Sequence, residues 1–225
     1  MTTDTPPIEL ETAASPDAAV IWLHGLGADG SDFVPIVPEL QLPAGARIRF
    51  VFPHAPFRPV TLNGGYVMRA WYDLYSLQRG GRQDRTGLAE ASASLEDLIA
   101  RECQRGIARE RIVLAGFSQG GAVALATGLR QPAALAGIVG LSTYLPFAEQ
   151  LADDHHPASL ASPIFMAHGH DDPVIAFAIA EHARERLLGL GYELEWHAYA
   201  MQHGVCPAEL RDLAQWLTRR LPIID

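Results

Sequence analysis

The stretch that decides the fold lies at the middle of the chain. It reads Arg111-Ile112-Val113-Leu114-Ala115-Gly116-Phe117-Ser118-Gln119-Gly120-Gly121-Ala122-Val123. The apolar run before Gly116 predicts a buried strand, and the residues after Ser118 predict a helix that runs to about Leu129. A serine in a G-x-S-x-G turn between such elements is held in a strained conformation with its hydroxyl exposed above the sheet. The sequence therefore predicts that Ser118 is a nucleophile.

A phosphate-binding turn at the start of the helix is the alternative interpretation of these glycines. Their spacing fits neither a P-loop nor the dinucleotide-binding pattern, and no lysine follows them. We therefore favour the nucleophile.

Composition limits the class of protein. The chain has 225 residues, of which 48% are hydrophobic, so it can form one large α/β domain (1–225) that needs neither disulfides nor a metal. The net charge of −9 argues against nucleic acid or anionic lipid as partners. The two cysteines, Cys103 and Cys206, and a first segment without a signal-peptide pattern favour a reducing cytoplasm. The apolar runs are only strand-length, so we expect no transmembrane helix.

Short apolar runs alternate with helical patterns, which is typical of βαβ units on a mostly parallel sheet with helices on both faces. The predicted strands are Ala18–Leu23, Arg47–Phe52, Arg111–Ala115, Gly137–Leu141, Pro163–Ala167 and Leu194–Tyr199, with a further one near Ile8–Thr12. The predicted helices are Asp32–Glu39, Thr86–Arg105, Gln119–Leu129, Val174–Leu188 and Pro207–Leu221.

The segment from Pro53 to about Arg85 fits no regular element. It is rich in proline, glycine and aromatic residues, and loops of this length inside a compact domain are usually functional. It could pack as a satellite hydrophobic cluster, contact the substrate, or do both. From this segment we expect Met68, Trp71 and Tyr72 to bind substrate. We expect the same of Val205, which lies in the loop before the last predicted helix.

A serine nucleophile needs a base, and the base needs an orienting acid. In hydrolases with this turn, the chain order is serine, then Asp or Glu, then histidine. That order and the local patterns set aside most of the nine histidines: His24, His54, His155, His156, His170, His182 and His197. His203 follows the final predicted strand and precedes the last helix, which predicts it as the base.

The acid should follow the preceding strand, in His168-Gly169-His170-Asp171-Asp172-Pro173. Asp171 and Asp172 both qualify. Asp172 precedes Pro173, which we expect to open the next helix, so Asp172 could instead be only a helix N-cap. The residues alone leave both aspartates open.

An acyl tetrahedral intermediate also needs two N–H donors. One is predicted at Gln119, directly after the nucleophile. The other is predicted at Leu26, in the glycine-rich loop His24-Gly25-Leu26-Gly27, although that loop could be a plain turn.

These motifs together resemble the carboxylesterase/phospholipase group of α/β-hydrolases, which also contains the acyl-protein thioesterases. The resemblance covers nearly the whole chain and rests on His24-Gly25-Leu26-Gly27-Ala28-Asp29, Asn63-Gly64-Gly65-Tyr66, Trp71-Tyr72-Asp73, the Ser118 turn, His168 to Pro173 and His203-Gly204. It implies a single-domain α/β-hydrolase fold and a Ser118-His203-Asp172 triad, with Asp172 rather than Asp171 as the acid. It also implies oxyanion amides at Leu26 and Gln119. His170 departs from the family pattern.

The expected activity is hydrolysis of short to medium acyl esters by a carboxylesterase without cofactor or metal. Thioester hydrolysis on acylated proteins and lysophospholipid hydrolysis are alternatives with the same triad. A zinc hydrolase using the His/Asp-rich stretch 155–172 and a non-catalytic binding protein on this fold are the rivals from other classes. Exposed apolar residues such as Phe57 and Leu62 could serve a homodimer interface or line the pocket.

Overall fold

The computed structural model describes residues 5–77 and 81–224. Its strands are β1 (Ile8–Glu11), β2 (Ala18–Leu23), β3 (Ile48–Phe52), β4 (Phe57–Val60), β5 (Tyr66–Arg69), β6 (Ile112–Phe117), β7 (Gly137–Leu141), β8 (Ile164–Gly169) and β9 (Leu194–Tyr199). Its α-helices are α1 (Ile36–Glu39), α2 (Arg85–Gln104), α3 (Gln119–Gly128), α4 (Leu151–Asp154), α5 (Phe177–Gly189) and α6 (Pro207–Arg220).

One sheet organises the molecule. Seven strands pair in the order β1-β3-β2-β6-β7-β8-β9, and only β1 pairs antiparallel to its neighbour. The strands β2, β3, β7 and β8 are buried throughout, as expected for parallel strands that are covered on both faces. The predicted α/β class with a mostly parallel sheet is confirmed.

Helices cover both faces of this sheet. Alternate residues of β2 separate into two cores, because successive side chains point to opposite faces. Val20 and Trp22 pack with α1 and α6, whereas Ile21 packs with α2 and α3. Helix α5 joins the second face through Leu187, which packs beside β8.

Most predicted elements agree with the structure to within two residues, but α1 is much shorter than the predicted Asp32–Glu39. It is a single turn, Ile36–Glu39, with Pro35 as its N-cap. Pro35 and Pro38 have no N–H to donate, so the two prolines restrict a continuous helix through this stretch.

The prediction that Pro53–Arg85 contains no regular element was wrong. Strands β4 and β5 form an antiparallel hairpin in it, with Val60 paired to Tyr66. Gly64 and Gly65 have φ of 65° and 82°, a left-handed conformation that glycine adopts without strain. The hairpin pattern is short and interrupted by Pro59, which concealed it in the sequence. Residues 78–80 of this segment lie outside the described residues.

None of the helices in residues 5–77 and 81–224 is both long enough and apolar enough to cross a membrane.

Candidate active site

Ser118 occupies the tight turn between β6 and α3. Its φ is 53° and its ψ is −119°, outside the favourable regions for a residue with a side chain. The Ser118 amide donates to the Leu141 carbonyl on β7 at 2.9 Å, which anchors the turn to the sheet. The backbone of Ser118 thus has the strained conformation that the sequence predicted for this turn.

The flanking glycines are required by close backbone contacts. A Cβ on Gly116 would lie 2.3 Å from the Gly120 carbonyl carbon, and one on Gly120 would lie 2.4 Å from the Leu23 oxygen. Both are backbone contacts that cannot be relieved by moving a side chain. The turn can therefore bring helix α3 this close to β2 and β6 only with glycine at both positions.

His203 lies in the loop between β9 and α6. Its Nε2 is 3.0 Å from the Ser118 Oγ, and its Nδ1 is 2.7 Å from the Asp172 Oδ2. The Phe117 ring packs against the imidazole with the ring centroids 4.8 Å apart. The structure thus brings together the three side chains predicted as nucleophile, base and acid.

Asp172 performs two tasks with different oxygens. Its Oδ1 accepts the backbone amides of Val174 and Ile175 at 2.8 and 2.9 Å, while its Oδ2 faces His203. Asp172 is therefore not only a helix N-cap, the alternative that the sequence left open: the N-cap of α5 is Ala176, and Asp172 contacts His203. Asp171, the alternative acid, is exposed.

The expectation that Pro173 opens a helix was wrong, since α5 begins only at Phe177. Side-chain bonds within the segment 168–175 explain the delay. The buried His168 Nε2 lies 2.8 Å from the Ile175 carbonyl oxygen and 3.3 Å from the Asp172 Oδ2. The His168 Nε2 donates to the Ile175 carbonyl, and the Asp172 Oδ1 accepts the amides of Val174 and Ile175, so the segment 172–175 forms a loop. Desolvation lowers the pKa of His168.

The two residues predicted to donate oxyanion amides lie near Ser118. Leu26 and Gln119 line one cavity of about 360 Å³ together with Ser118 and His203. Gly25, next to Leu26, is so close to the Ser118 turn that a Cβ on it would lie 3.5 Å from the Ser118 Cβ. The arrangement can therefore present two backbone N–H groups beside the hydroxyl.

His24 fixes the loop that carries Leu26. The Ala55 amide donates to its Nε2 at 3.0 Å, so its Nδ1 carries the proton and donates to the Gly25 carbonyl at 2.7 Å. Burial lowers the pKa of His24 to about 4, which keeps this tautomer neutral. From the sequence, His24 was predicted only not to be the base, and its role in fixing this loop was not predicted. The signal was a histidine at the end of a buried strand, where a polar ring needs partners.

The four residues predicted to bind substrate are not among those lining this cavity. Trp71 and Tyr72 are only 5% and 4% exposed and pack behind its wall. Met68 packs in a small cluster with Leu26 and Leu74, and Val205 packs against the core under α6. Direct substrate contact by these four residues stays a prediction.

Other residues do line the cavity. Leu62, Leu74, Leu77 and Tyr144 supply apolar wall. The Tyr144 hydroxyl is hydrogen-bonded to that of Tyr72. Burial raises the pKa of Tyr144 to about 12, so both partners are neutral phenols. Tyr144 was missed, because only the fold brings it beside the hairpin.

The His/Asp-rich stretch separates in space. His168 and Asp172 are buried beside His203, whereas His170 and Asp171 are exposed. In the part of the chain that the structure describes, no three His, Cys, Asp or Glu side chains are grouped to hold a metal ion.

The mostly parallel sheet, with a serine at the turn between its central strand β6 and helix α3, defines an α/β-hydrolase. Residues 8–221 match the profile of the Phospholipase/Carboxylesterase family, and the chain belongs to that family.

Curated relatives extend this result. The chain is 37% identical to acyl-protein thioesterase 1 of Mycosarcoma maydis, with 96% of each sequence covered. It is 36% identical to acyl-protein thioesterase 1 of Yarrowia lipolytica, over 96% of this chain and 97% of the relative.

Solved structures agree. SOBER1 of Arabidopsis thaliana superposes with a TM-score of 0.86 at 33% identity, over 91% of this chain and 99% of that one. Acyl-protein thioesterase 2 of Zea mays superposes with a TM-score of 0.85 at 26% identity, over 96% of this chain and 98% of that one. The chain is therefore a hydrolase of the esterase or thioesterase kind.

Proposed function

We propose that the protein is a carboxylesterase that cleaves short to medium acyl esters through Ser118, His203 and Asp172. The observation that carries this proposal is the continuous contact from the Ser118 Oγ to His203 and on to Asp172, at 3.0 and 2.7 Å. A serine hydroxyl becomes an effective nucleophile when a positioned imidazole takes its proton.

The reaction proceeds in two acyl transfers. His203 Nε2 takes the Ser118 proton as the Oγ attacks the ester carbonyl, and the Leu26 and Gln119 amides stabilise the oxyanion. The tetrahedral intermediate collapses with breakage of the C–O bond, and His203 returns the proton to the leaving alcohol. Water, deprotonated by His203, then attacks the acyl-enzyme; the bond from the acyl carbon to the Ser118 Oγ breaks, His203 returns the proton to this oxygen, and the acid is released. Asp172 holds the tautomer and stabilises the imidazolium in each step.

The preference for short to medium chains is supported by the size and lining of the cavity. Its volume of about 360 Å³ is near the lower end for ligand pockets, and leucines dominate its apolar wall.

A second candidate, hydrolysis of thioesters on acylated proteins, is favoured by the names of the relatives. A further cavity of about 380 Å³ adjoins the first, and the two share Leu77 and Tyr144 in their walls. Phe147 and Ile179 also line this further cavity, which gives a longer acyl chain an apolar continuation.

A substrate panel decides between these functions. We would measure kcat/KM for p-nitrophenyl acetate, butyrate, octanoate and palmitate, and for octanoyl and palmitoyl thioesters of a cysteine peptide. The carboxylesterase proposal expects butyrate or octanoate to be best, and a palmitoyl optimum would contradict it. The thioesterase candidate expects S-acyl peptides to exceed the matched oxygen esters.

Three variants make the panel interpretable. Ser118→Ala should abolish both turnover and labelling by a fluorophosphonate probe, whereas Ser94→Ala, on the exposed surface of α2, should change neither. Ala178→Trp would fill the further cavity and should depress only the longest substrates. Turnover that persists in Ser118→Ala would refute the triad.

A further inference from the structure

The dipeptide Trp71-Tyr72 contacts both segments that carry the predicted oxyanion amides. The Trp71 indole N–H donates to the His24 carbonyl at 2.8 Å. The Trp71 backbone N–H donates to the Gln119 Oε1 at 3.0 Å, and the Gln119 Nε2 donates to the Tyr72 carbonyl at 2.8 Å. One short segment after β5 is therefore bonded to the loop after β2 and to the first residue of α3.

These bonds fix peptide planes as well as side chains. In a trans peptide the carbonyl and the N–H of one plane point in opposite directions. The Gly25 carbonyl, held by His24 Nδ1, shares its plane with the Leu26 N–H, and the adjacent His24 carbonyl is held by Trp71. Two successive planes are thus fixed by side-chain donors, and the second aims the Leu26 amide away from the His24 ring.

The Gln119 amide is fixed from the other side. Its side chain is buried, with 2% exposure, and both ends of its carboxamide are bonded to the dipeptide. These bonds restrain the residue whose backbone N–H is the second predicted donor. The contacts are desolvated, so water does not replace a lost partner without disturbance.

We propose that Trp71 and the Gln119 side chain are positioning residues that set the distance between the two oxyanion amides. Neither side chain contacts the reacting atoms; each acts through the backbone it holds. The proposal rests on the Ser118 mechanism above. Preorganised donors stabilise the transition state only when correctly placed, and a misplacement of about 1 Å can cost up to about 100-fold in rate.

The test compares two tryptophan-to-phenylalanine variants. Trp71→Phe keeps a buried ring but loses the bond to His24. Trp216→Phe is the matched control, since Trp216 is also fully buried and its indole N has no acceptor among the described residues. We would measure kcat and KM for p-nitrophenyl butyrate, the Tm, and the Ki of an alkyl trifluoromethyl ketone, whose adduct with serine carries an oxyanion.

Trp71→Phe should lower kcat about tenfold with KM within about twofold, and should raise the Ki by the same factor as it lowers kcat/KM. Active sites are titrated with a fluorophosphonate, so that loss of folded enzyme does not count as loss of kcat. Trp216→Phe should leave kcat per active site and Ki unchanged, even where its Tm falls.

Gln119→Met provides a second test without altering a ring, because it removes both bonds to the dipeptide at nearly constant volume. Its effect on kcat should be similar. The fold-loss of kcat in the double variant Trp71→Phe/Gln119→Met should be smaller than the product of the two single fold-losses, because both substitutions disrupt the same hydrogen-bonded unit. If both variants match Trp216→Phe in kcat and Ki, the positioning role is overturned. That result differs from failure of the proposed function, which would show as turnover retained in Ser118→Ala.

Discussion

The Asp172 carboxylate is bonded to the His203 imidazole by one oxygen and to the backbone of its own loop by the other. The Oδ2 lies 2.7 Å from the His203 Nδ1, and the Oδ1 accepts two amides within 2.9 Å. Because the loop holds the carboxylate, the carboxylate can in turn hold the imidazole tautomer that leaves Nε2 free to accept a proton. The contact is buried, since Asp172 is 7% exposed.

Asp172→Asn should therefore lower kcat by about four orders of magnitude with little change in fold, because an amide N–H facing Nδ1 favours the wrong tautomer. Asp171→Asn, next in the chain and exposed, is the matched control and should change kcat by less than about twofold. The measurement is p-nitrophenyl butyrate hydrolysis with circular dichroism on each variant. Equal losses in the two variants would contradict the assignment of Asp172.

Much of this site followed from the sequence, because chain order limits which residues can meet. Ser118 and His203 each follow a recognisable strand, and parallel strands bring their carboxyl ends to one edge of the sheet. The choice between Asp171 and Asp172 could not be made from the residues, since it depends on the direction of two adjacent side chains in a loop.

The hydrogen bonds of Trp71 could not be predicted, because they join residues that are far apart in the chain. The bond from Trp71 to His24 spans 47 residues, and the bond from Trp71 to Gln119 spans 48. Aromatic residues in a long loop suggest a pocket, so Trp71 and Tyr72 were expected at the substrate; the structure shows both side chains buried, and their contact with substrate stays a prediction. The start of α5 was misplaced for a local reason, because the side chains of His168 and Asp172 bond the backbone of Val174 and Ile175 in place of helical partners.

Glycine at position 116 should be essential for folding. A Cβ there would overlap the Gly120 backbone at 2.3 Å, so Gly116→Ala should destabilise the protein by more than about 4 kcal/mol or prevent its accumulation. Gly189→Ala is the control: this residue ends α5, has open space around it, and should gain up to about 1 kcal/mol from helix propensity. Urea unfolding of both variants checks the difference, and a stable, active Gly116→Ala enzyme would contradict the turn geometry.

His24 should make the fold sensitive to acid. Its folded-state pKa of about 4 lies below the ordinary value of 6.5, so between these values the unfolded chain binds the extra proton. The stabilisation is complete above pH 6.5 and falls as the pH is lowered, by about 2 kcal/mol at pH 5. The variant His24→Gln should be less stable at neutral pH but should lose less stability between pH 7.5 and pH 5.

Urea unfolding at the two pH values measures that difference, and comparing differences cancels the other titrating groups. His170→Gln, which alters an exposed histidine, should lose as much unfolding free energy between pH 7.5 and pH 5 as the parent does. If His24→Gln lost as much unfolding free energy over this pH range as the parent, the His24 imidazole would not be held neutral in the fold.

Glu209 should make the free energy of unfolding depend on pH in the opposite direction to His24. This carboxyl is fully buried in α6; its Oε2 accepts only the Cys206 amide at 3.3 Å, and its Oε1 has no partner in the described part of the chain. Desolvation raises the pKa of Glu209 from 4.5 to about 8, so the folded state retains a proton that the unfolded chain releases. The free energy of unfolding should therefore decrease as the pH rises from 5 to 8, on the order of 3 kcal/mol for this group.

Glu209→Gln removes the titration while keeping an oxygen for the Cys206 amide. Its unfolding free energy should exceed that of the parent at pH 8 by more than at pH 5, with Glu110→Gln on the exposed surface as the control. Because α6 begins four residues after His203, the same variant should also reduce loss of activity on incubation at pH 8 and elevated temperature. Parallel stability curves for Glu209→Gln and the parent would mean that the carboxylate is charged in the fold, and would require a cationic or donor partner for its second oxygen.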